Sequence, residues 1–462
     1  MAVVFAALMG GCGGGDDAGP REAPGASIRL EPAEVQVLVG GSVWLAPVVT
    51  GTDETEVTFA VEEAGGGTVF PSGEYVAPGA PGTFHVVARL AADPARAARA
   101  TIHVTGYAGV FERTRTDPVV AQTGHAAALL ADRSILLVGG PGPDLTAAQR
   151  YDPRADRFEA AGRISTKRAR PAVAALADGR VLVTGGETSG SFSVSAVSRT
   201  AELFEPFAGP FELLAGELTL PRAHHTATEL DDGDVLVVGG SASLDGTVPA
   251  TATAERWDRA TRTFAATGSL GAARQDHTAT RLPDGRVLVL GGRAATCRTG
   301  GVCGAAIASA EIWDPETGTF EPLGALATPR YGHTATLLPD GRLLVAGGWF
   351  TSGNGVSEEV GTYELFDPAT GAAELAGDMR FARALHTATL LHDGRVLVAG
   401  GGVALVATDR TELFDPAGPG VAEGPALSSP RMSHTATLLP DGRVLVVGGT
   451  DASALATAET FR

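Results

Sequence analysis

The segment at residues 434–449, HTATLLPDGRVLVVGG, recurs with small edits along most of the chain. Related copies start at His125, Pro171, His225, His277, His333 and His386. A short unit repeated at similar spacing cannot bury its apolar face alone. The copies must stack on one another, and this restricts the fold more than any other feature. Within a copy, HTATLL alternates small polar and apolar residues and reads as a strand. RVLVVGG is a β-branched apolar run and reads as a second, more buried strand. Asp-Gly joins the two in six copies, at Asp178, Asp232, Asp284, Asp340, Asp393 and Asp441. The glycine supplies the positive φ that a tight hairpin turn needs. The first copy has Asp132-Arg133 instead.

A Gly-Gly pair ends the second strand seven times, at Gly139, Gly185, Gly239, Gly291, Gly347, Gly400 and Gly448, at intervals of 46 to 56 residues. A third strand follows, with Glu or Gln two residues before an aromatic: Gln149/Tyr151, Glu202/Phe204, Glu255/Trp257, Glu311/Trp313, Glu364/Phe366, Glu412/Phe414 and Glu459/Phe461. A fourth carries Phe158, Phe211, Phe264 or Phe320, with Ala373 and Val421 in the last two full copies. Four short strands in about 50 residues suit one blade of a propeller.

The Gly-Gly pair, the strand-three and strand-four aromatics and an Arg-x-x-His opening resemble the Kelch repeat family over roughly residues 109–462. That opening stands at Arg222/His225, Arg274/His277, Arg330/His333, Arg383/His386 and Arg431/His434, and is broken at Gln122 and Pro171. The resemblance implies an all-β, seven-bladed Kelch-type β-propeller. The seventh copy ends after its third strand. Phe111 precedes His125 by the interval at which Phe211 precedes His225. Residues 110–115 therefore read as an orphan fourth strand that closes the ring, since an open array leaves unpaired edges.

The chain opens on MAVVFAALMGGC, an apolar run ending in small residues before Cys12. This resembles a bacterial lipoprotein signal, residues 1–11, with Cys12 as the lipidated mature N-terminus and a Gly/Asp-rich tether over 12–26. Residues 27–106 are short alternating strands, SIRLEP to RATIHVTG, and read as a small β-sandwich. The stretch SGEYVAPGAPGTFHVVA resembles bacterial immunoglobulin-like domains, with Tyr75 and Phe84 as core or strand-end aromatics rather than site residues. Residues 107–462 form the propeller. No other apolar run reaches the ~20 residues of a membrane span. Membrane contact is therefore expected only through the lipid anchor, on an exported, monomeric cell-envelope protein. A net charge of −18 argues against nucleic acid.

The uniform residues read as architecture. His125, His225, His277, His333, His386 and His434 fill one slot in successive copies and are expected to hydrogen-bond neighbouring blades rather than hold a metal. Cys297 and Cys303 bracket RTGGV within the longest loop, and export favours a disulfide between them. Strand direction puts the variable connections, 187–199, 241–253, 293–309 and 349–361, on one face of the disc. Binding is usually built on such loops. Trp349, Phe350, Asn354, Glu358 and Glu359 suit a protein or glycan contact at the channel mouth there. The expected function is a surface-anchored, non-enzymatic binding or scaffold protein without catalytic, cofactor or metal residues. The alternative is an enzyme resembling the copper-radical oxidases typified by galactose oxidase. That chemistry needs two tyrosines, two histidines and a cysteine cross-linked to tyrosine, and no such set is evident in a chain with five tyrosines.

Overall fold

The computed structural model describes residues 25–53, 55–140, 144–188, 196–206, 211–243, 249–295, 304–351, 356–418 and 420–462. They fall into two compact units. One comprises the chain up to Gln36 with Val43–Pro78 and Gly82–Val104; the other comprises Val37–Ser42, Gly79–Pro81 and Thr105–Arg462. Both are built from β-strands, and the described residues contain no helix.

In the first unit the long strands Gly82–Leu90 and Ala97–Thr105 pair antiparallel, and Val57–Val61 pairs with the other edge of Gly82–Leu90. Alternate residues point inward, so Val86, Ala88, Ala100 and Ile102 are buried. Tyr75 is fully buried, and its hydroxyl donates to the Gly66 carbonyl at 2.6 Å. Phe84 is half-buried.

In the second unit each copy forms one four-stranded antiparallel sheet, as Thr278–Arg281, Val287–Leu290, Ser309–Asp314 and Thr319–Ala325 do. Seven such sheets occur among the described residues. The sheet of the last copy takes its outer strand from before the first copy: Phe111–Arg113 lies antiparallel to Ala458–Phe461, Phe111 opposite Phe461. The second strands are buried along their whole length because a neighbouring sheet covers each face. Leu236 and Val238 of one copy pack with Val287, Val289 and Trp313 of the next. Ile135, Leu137 and Tyr151 of the first copy pack with Leu445 and Val447 of the last. This is a β-propeller arrangement.

The Gly-Gly pair has a double role. Its second N–H donates to the backbone carbonyl of the Arg, or in the first copy the Gln, that opens the next copy, from Gly140 to Arg168 at 2.8 Å through to Gly449 and Gln122 at 2.9 Å. Both glycines have positive φ, +62° and +92° at Gly239 and Gly240. A Cβ on Gly239 would stand 2.5 Å from the Arg274 carbonyl oxygen and 2.8 Å from His277 Cε1. Glycine is required for the blades to approach.

Two buried polar systems repeat with the copies. The opening Arg is fully buried and pairs with the strand-three Glu: Arg168–Glu202, Arg222–Glu255, Arg274–Glu311, Arg330–Glu364, Arg383–Glu412 and Arg431–Glu459. In the first copy both partners are neutral, and Gln149 donates to Gln122 at 2.7 Å. The slot histidines form the second system. Nε2 of His277, His333, His386 and His434 meets the threonine one copy back, Thr226, Thr278, Thr334 and Thr387, and His125 meets Thr435 of the last copy. Pro171 needs no such partner, and Ala126 supplies none. His225, whose preceding copy has Ala172 in the threonine slot, bonds Thr184 instead at 2.9 Å.

The strand-four aromatic missing at Val421 is compensated by a neighbouring copy. Tyr151–Phe158 and Phe204–Phe211 stack within a copy at 4.9 Å. Phe414 faces Val421 and instead receives Tyr363 of the preceding copy edge-on at 5.1 Å.

Candidate functional site at the channel mouth

The residue just before each first-strand slot, in turn Gly124, Arg170, His224, Asp276, Gly332, Leu385 and Ser433, has φ between +48° and +59°. Their backbones link from copy to copy: Asp276 N–H donates to His224, Gly332 to Asp276, Ser433 to Leu385 and Gly124 to Ser433, at 2.8 to 3.1 Å. They line the inner edge of the loop face. Beside them run the residues that follow Gly-Gly, which bridge back to the segment opening each copy, Glu187 to Ala169, Arg293 to Gln275 and Trp349 to Tyr331.

Three consecutive copies put charge in this left-handed slot, and the charges form one chain. Arg170 Nη1 donates to Glu187 Oε1 at 2.6 Å, and His224 Nε2 lies 3.3 Å from the same oxygen. His224 Nδ1 meets Asp276 Oδ1 at 2.6 Å, and Arg293 Nε donates to Asp276 Oδ2 at 2.7 Å. The Arg293 guanidinium lies 4.6 Å over the Tyr331 ring, which lies 5.6 Å from Trp349. Trp349 Nε1 donates to Glu359 Oε1 at 3.3 Å.

The electrostatics follow from burial and contact. Burial alone would drive His224 down, but Asp276 and Glu187 outweigh it and the imidazole is pushed above its ordinary value. Burial opposes ionisation of Asp276, yet His224 and Arg293 hold it well below the carboxylate range. Glu187 is likewise held low, against burial, by His224 and Arg170. His224 thus sets both ring nitrogens against carboxylates, an arrangement that favours its charged form. Beside Asp276, the Gln275 side chain is fully buried, and its amide nitrogen and oxygen have no hydrogen-bond partner among the described residues.

Of the residues singled out from sequence, Trp349, Phe350, Glu358 and Glu359 share a hairpin on this face, Trp349 opposite Glu359 and Phe350 opposite Glu358. Asn354, Cys12, Cys297 and Cys303 lie outside the described residues. The six slot histidines are buried and neutral: burial lowers His125 to about 4 and His277, His333 and His386 to about 3, and takes His225 and His434 well below 6.5. Arg170, Glu187, Asp276, Arg293 and Tyr331 were missed. Aligning the copies on the residue before the slot would have exposed the charged run.

Among the described residues, the donor sets do not fit copper. Both nitrogens of His224 are committed to carboxylates, Tyr331 Oη is bonded to Ser357 Oγ at 2.7 Å, and the slot histidines spend Nε2 on threonines. Among the described residues, Glu62, Glu63 and His85 of the first unit form the single group whose ligating atoms lie within 4.8 Å of one another.

No family model matches the chain. A stretch of 125 residues is 34% identical to an F-box/kelch-repeat protein of Arabidopsis thaliana. It covers 27% of this chain and 31% of that relative, so the chain spans about a third of the curated protein it matches. Among solved structures, a fungal alcohol oxidase of the AA5 family in complex with copper matches at TM-score 0.59 and 16% identity, over 76% of this chain and 75% of that one. The protein YjhT matches at TM-score 0.53 and 16% identity, over 66% of this chain and 98% of that one. These likenesses show a shared propeller fold. They also correct the expectation of a non-enzymatic chain. An oxidase uses this fold over three-quarters of the chain, so the lack of a familiar Tyr/His/Cys set in the sequence was no ground for setting catalysis aside.

Proposed function

We propose that this chain is a seven-bladed Kelch-type propeller, closed by its N-terminal strand, that engages its ligand at the channel mouth on the variable-loop face. What carries the reading is the run Arg170, His224 and Asp276 in a left-handed backbone slot where glycine is cheapest. The slot is occupied by Gly124 and Gly332 elsewhere, so backbone geometry does not ask for charged side chains. The partly exposed rings of Trp349 and Phe350 border that run, and aromatic faces beside fixed polar groups suit a glycan or a peptide. The first unit is read as an immunoglobulin-like spacer behind a lipid anchor at Cys12, on a monomeric cell-envelope protein. Glycan and peptide arrays probed with wild type, His224→Ala and Trp349→Ala test the reading. Loss of the hits in both variants is expected while each still unfolds in one cooperative transition; hits that survive both substitutions refute it.

A second reading has support from the fold shared with the alcohol oxidase: oxidation of a bound alcohol on the same face. Because the described donors do not compose a copper centre, this reading rests on fold alone. Copper content measured together with oxygen consumption on primary alcohols decides it. Stoichiometric copper with turnover favours the enzyme, and arrayed hits without turnover favour recognition alone.

A further inference from the structure

Three hairpins follow the Gly-Gly pairs of the last three copies: Trp349–Thr351 with Ser357–Glu359, Gly402–Val403 with Val406–Ala407, and Thr450–Asp451 with Ser453–Ala454. They are neighbours. Ala404 N–H donates to Glu359 Oε1 at 2.7 Å, and Val406–Ala407 touches Thr450–Asp451. The middle hairpin turns through Ala404 and Leu405, both left-handed, at φ +49° and +62°. A two-residue turn of this kind is built at least strain from Asn-Gly. Here it carries a leucine instead, and Val403, Leu405 and Val406 are 45%, 69% and 69% exposed. Apolar side chains on a strained, protruding turn gain nothing from the fold itself.

The surroundings restrict what covers the tip. The charged side chains of the three hairpins are Glu358, Glu359 and Asp451, all acidic. The next cation along the chain, Arg410, stacks on Phe381 at 4.4 Å and pairs with Glu423. Membrane-surface elements combine apolar groups with lysine and arginine because leaflets are anionic. An acid-rimmed apolar tip on a chain of net charge −18 suits the opposite surface.

We infer that the hairpin tip Val403–Val406 is a docking knob for a protein partner, and that it inserts into an apolar pocket rimmed by basic side chains. The inference stands independently of what binds at the channel mouth. The probe is a synthetic amphipathic helix of leucine and lysine, compared with its leucine/glutamate counterpart and with phosphatidylcholine and phosphatidylglycerol vesicles. The full chain should bind the Leu/Lys helix saturably. Leu405→Ser/Val406→Ser should weaken binding at least tenfold without lowering the melting temperature. Glu358→Gln/Asp451→Asn should weaken it severalfold and flatten its salt dependence. Absence of saturable binding, equal affinity in the Leu405/Val406 variant, or preference for the Leu/Glu helix or the vesicles overturns the inference. His224→Ala, which lies outside the three hairpins, should bind the helix as wild type does, which separates this result from the array experiment.

Discussion

The first copy contains a natural control for the buried ion pairs of the other six. Arg222 and Glu255 are both essentially excluded from solvent. The guanidinium donates to Gly239 O at 2.7 Å, Thr253 O at 2.9 Å, Thr253 Oγ1 at 2.8 Å and Glu255 Oε1 at 2.6 Å. Burial pulls Arg222 down from its ordinary range and Glu255 opposes that pull. Arg222→Gln keeps part of this hydrogen bonding but strands a buried carboxylate. Breaking one side of a buried pair costs about 3–5 kcal/mol. Glu255→Gln strands the guanidinium at similar cost. The double substitution recreates the first copy, where Gln122 Nε2 donates to Gly139 O at 2.7 Å and Ala147 O at 3.2 Å and Gln149 closes the pair. Its expected cost is about 1–2 kcal/mol, less than either single change, because no charge is left unpaired. Urea unfolding followed by tryptophan fluorescence reads this, since Trp257 on the same strand and Trp313 in the next sheet are fully buried. A double variant as unstable as the two single losses added together would refute the account.

The slot histidines make the ring acid-sensitive. Each is depressed in the folded chain, so its stability is present above pH 6.5 and lost as pH falls toward about 4 for His125 and about 3 for His277, His333 and His386. At pH 5 each withholds about 2 kcal/mol, and six together reach the roughly 5–15 kcal/mol of a whole domain. The melting temperature should therefore fall steeply between pH 6.5 and 5 with proton uptake above one, and a flat profile there contradicts neutral buried rings. His224 has the opposite sign. Its contribution is intact below 6.5 and lost as pH rises through its elevated value, so His224→Ala should remove a shallow loss of stability on the alkaline side of the melting profile. Tyr363→Ala should cost about 3–5 kcal/mol in urea, and adding Val421→Phe should recover part of it by restoring the within-copy stack; no recovery refutes the compensation. Removing residues 105–116 should lower the melting temperature by several degrees, because Ala458–Phe461 loses its neighbour.

Strands, turns and the glycine pairs were legible because they follow from local period and turn chemistry, as at Val287–Leu290 and Asp284-Gly285. The role of Phe111 was legible from spacing alone. The strand-three glutamates were visible as a column, but their arginine partners stand 28 to 37 positions away, and nothing local links the two. The charged run Arg170, His224, Asp276 escaped for the opposite reason. It occupies a slot whose only common property is a left-handed backbone, which six different residue types over seven positions conceal. Tyr363 was similarly hidden, because the gap it fills belongs to the following copy.

Pairing Phe111–Arg113 with Ala458–Phe461 joins segments about 350 positions apart. During synthesis the early strand emerges long before its mate exists, and it must stay unpaired while six intervening sheets are made. Such a distant contact is slow to find. The final junction therefore has to wait for the whole intervening chain, and until it forms the last sheet keeps an open edge of the kind that invites pairing with another copy.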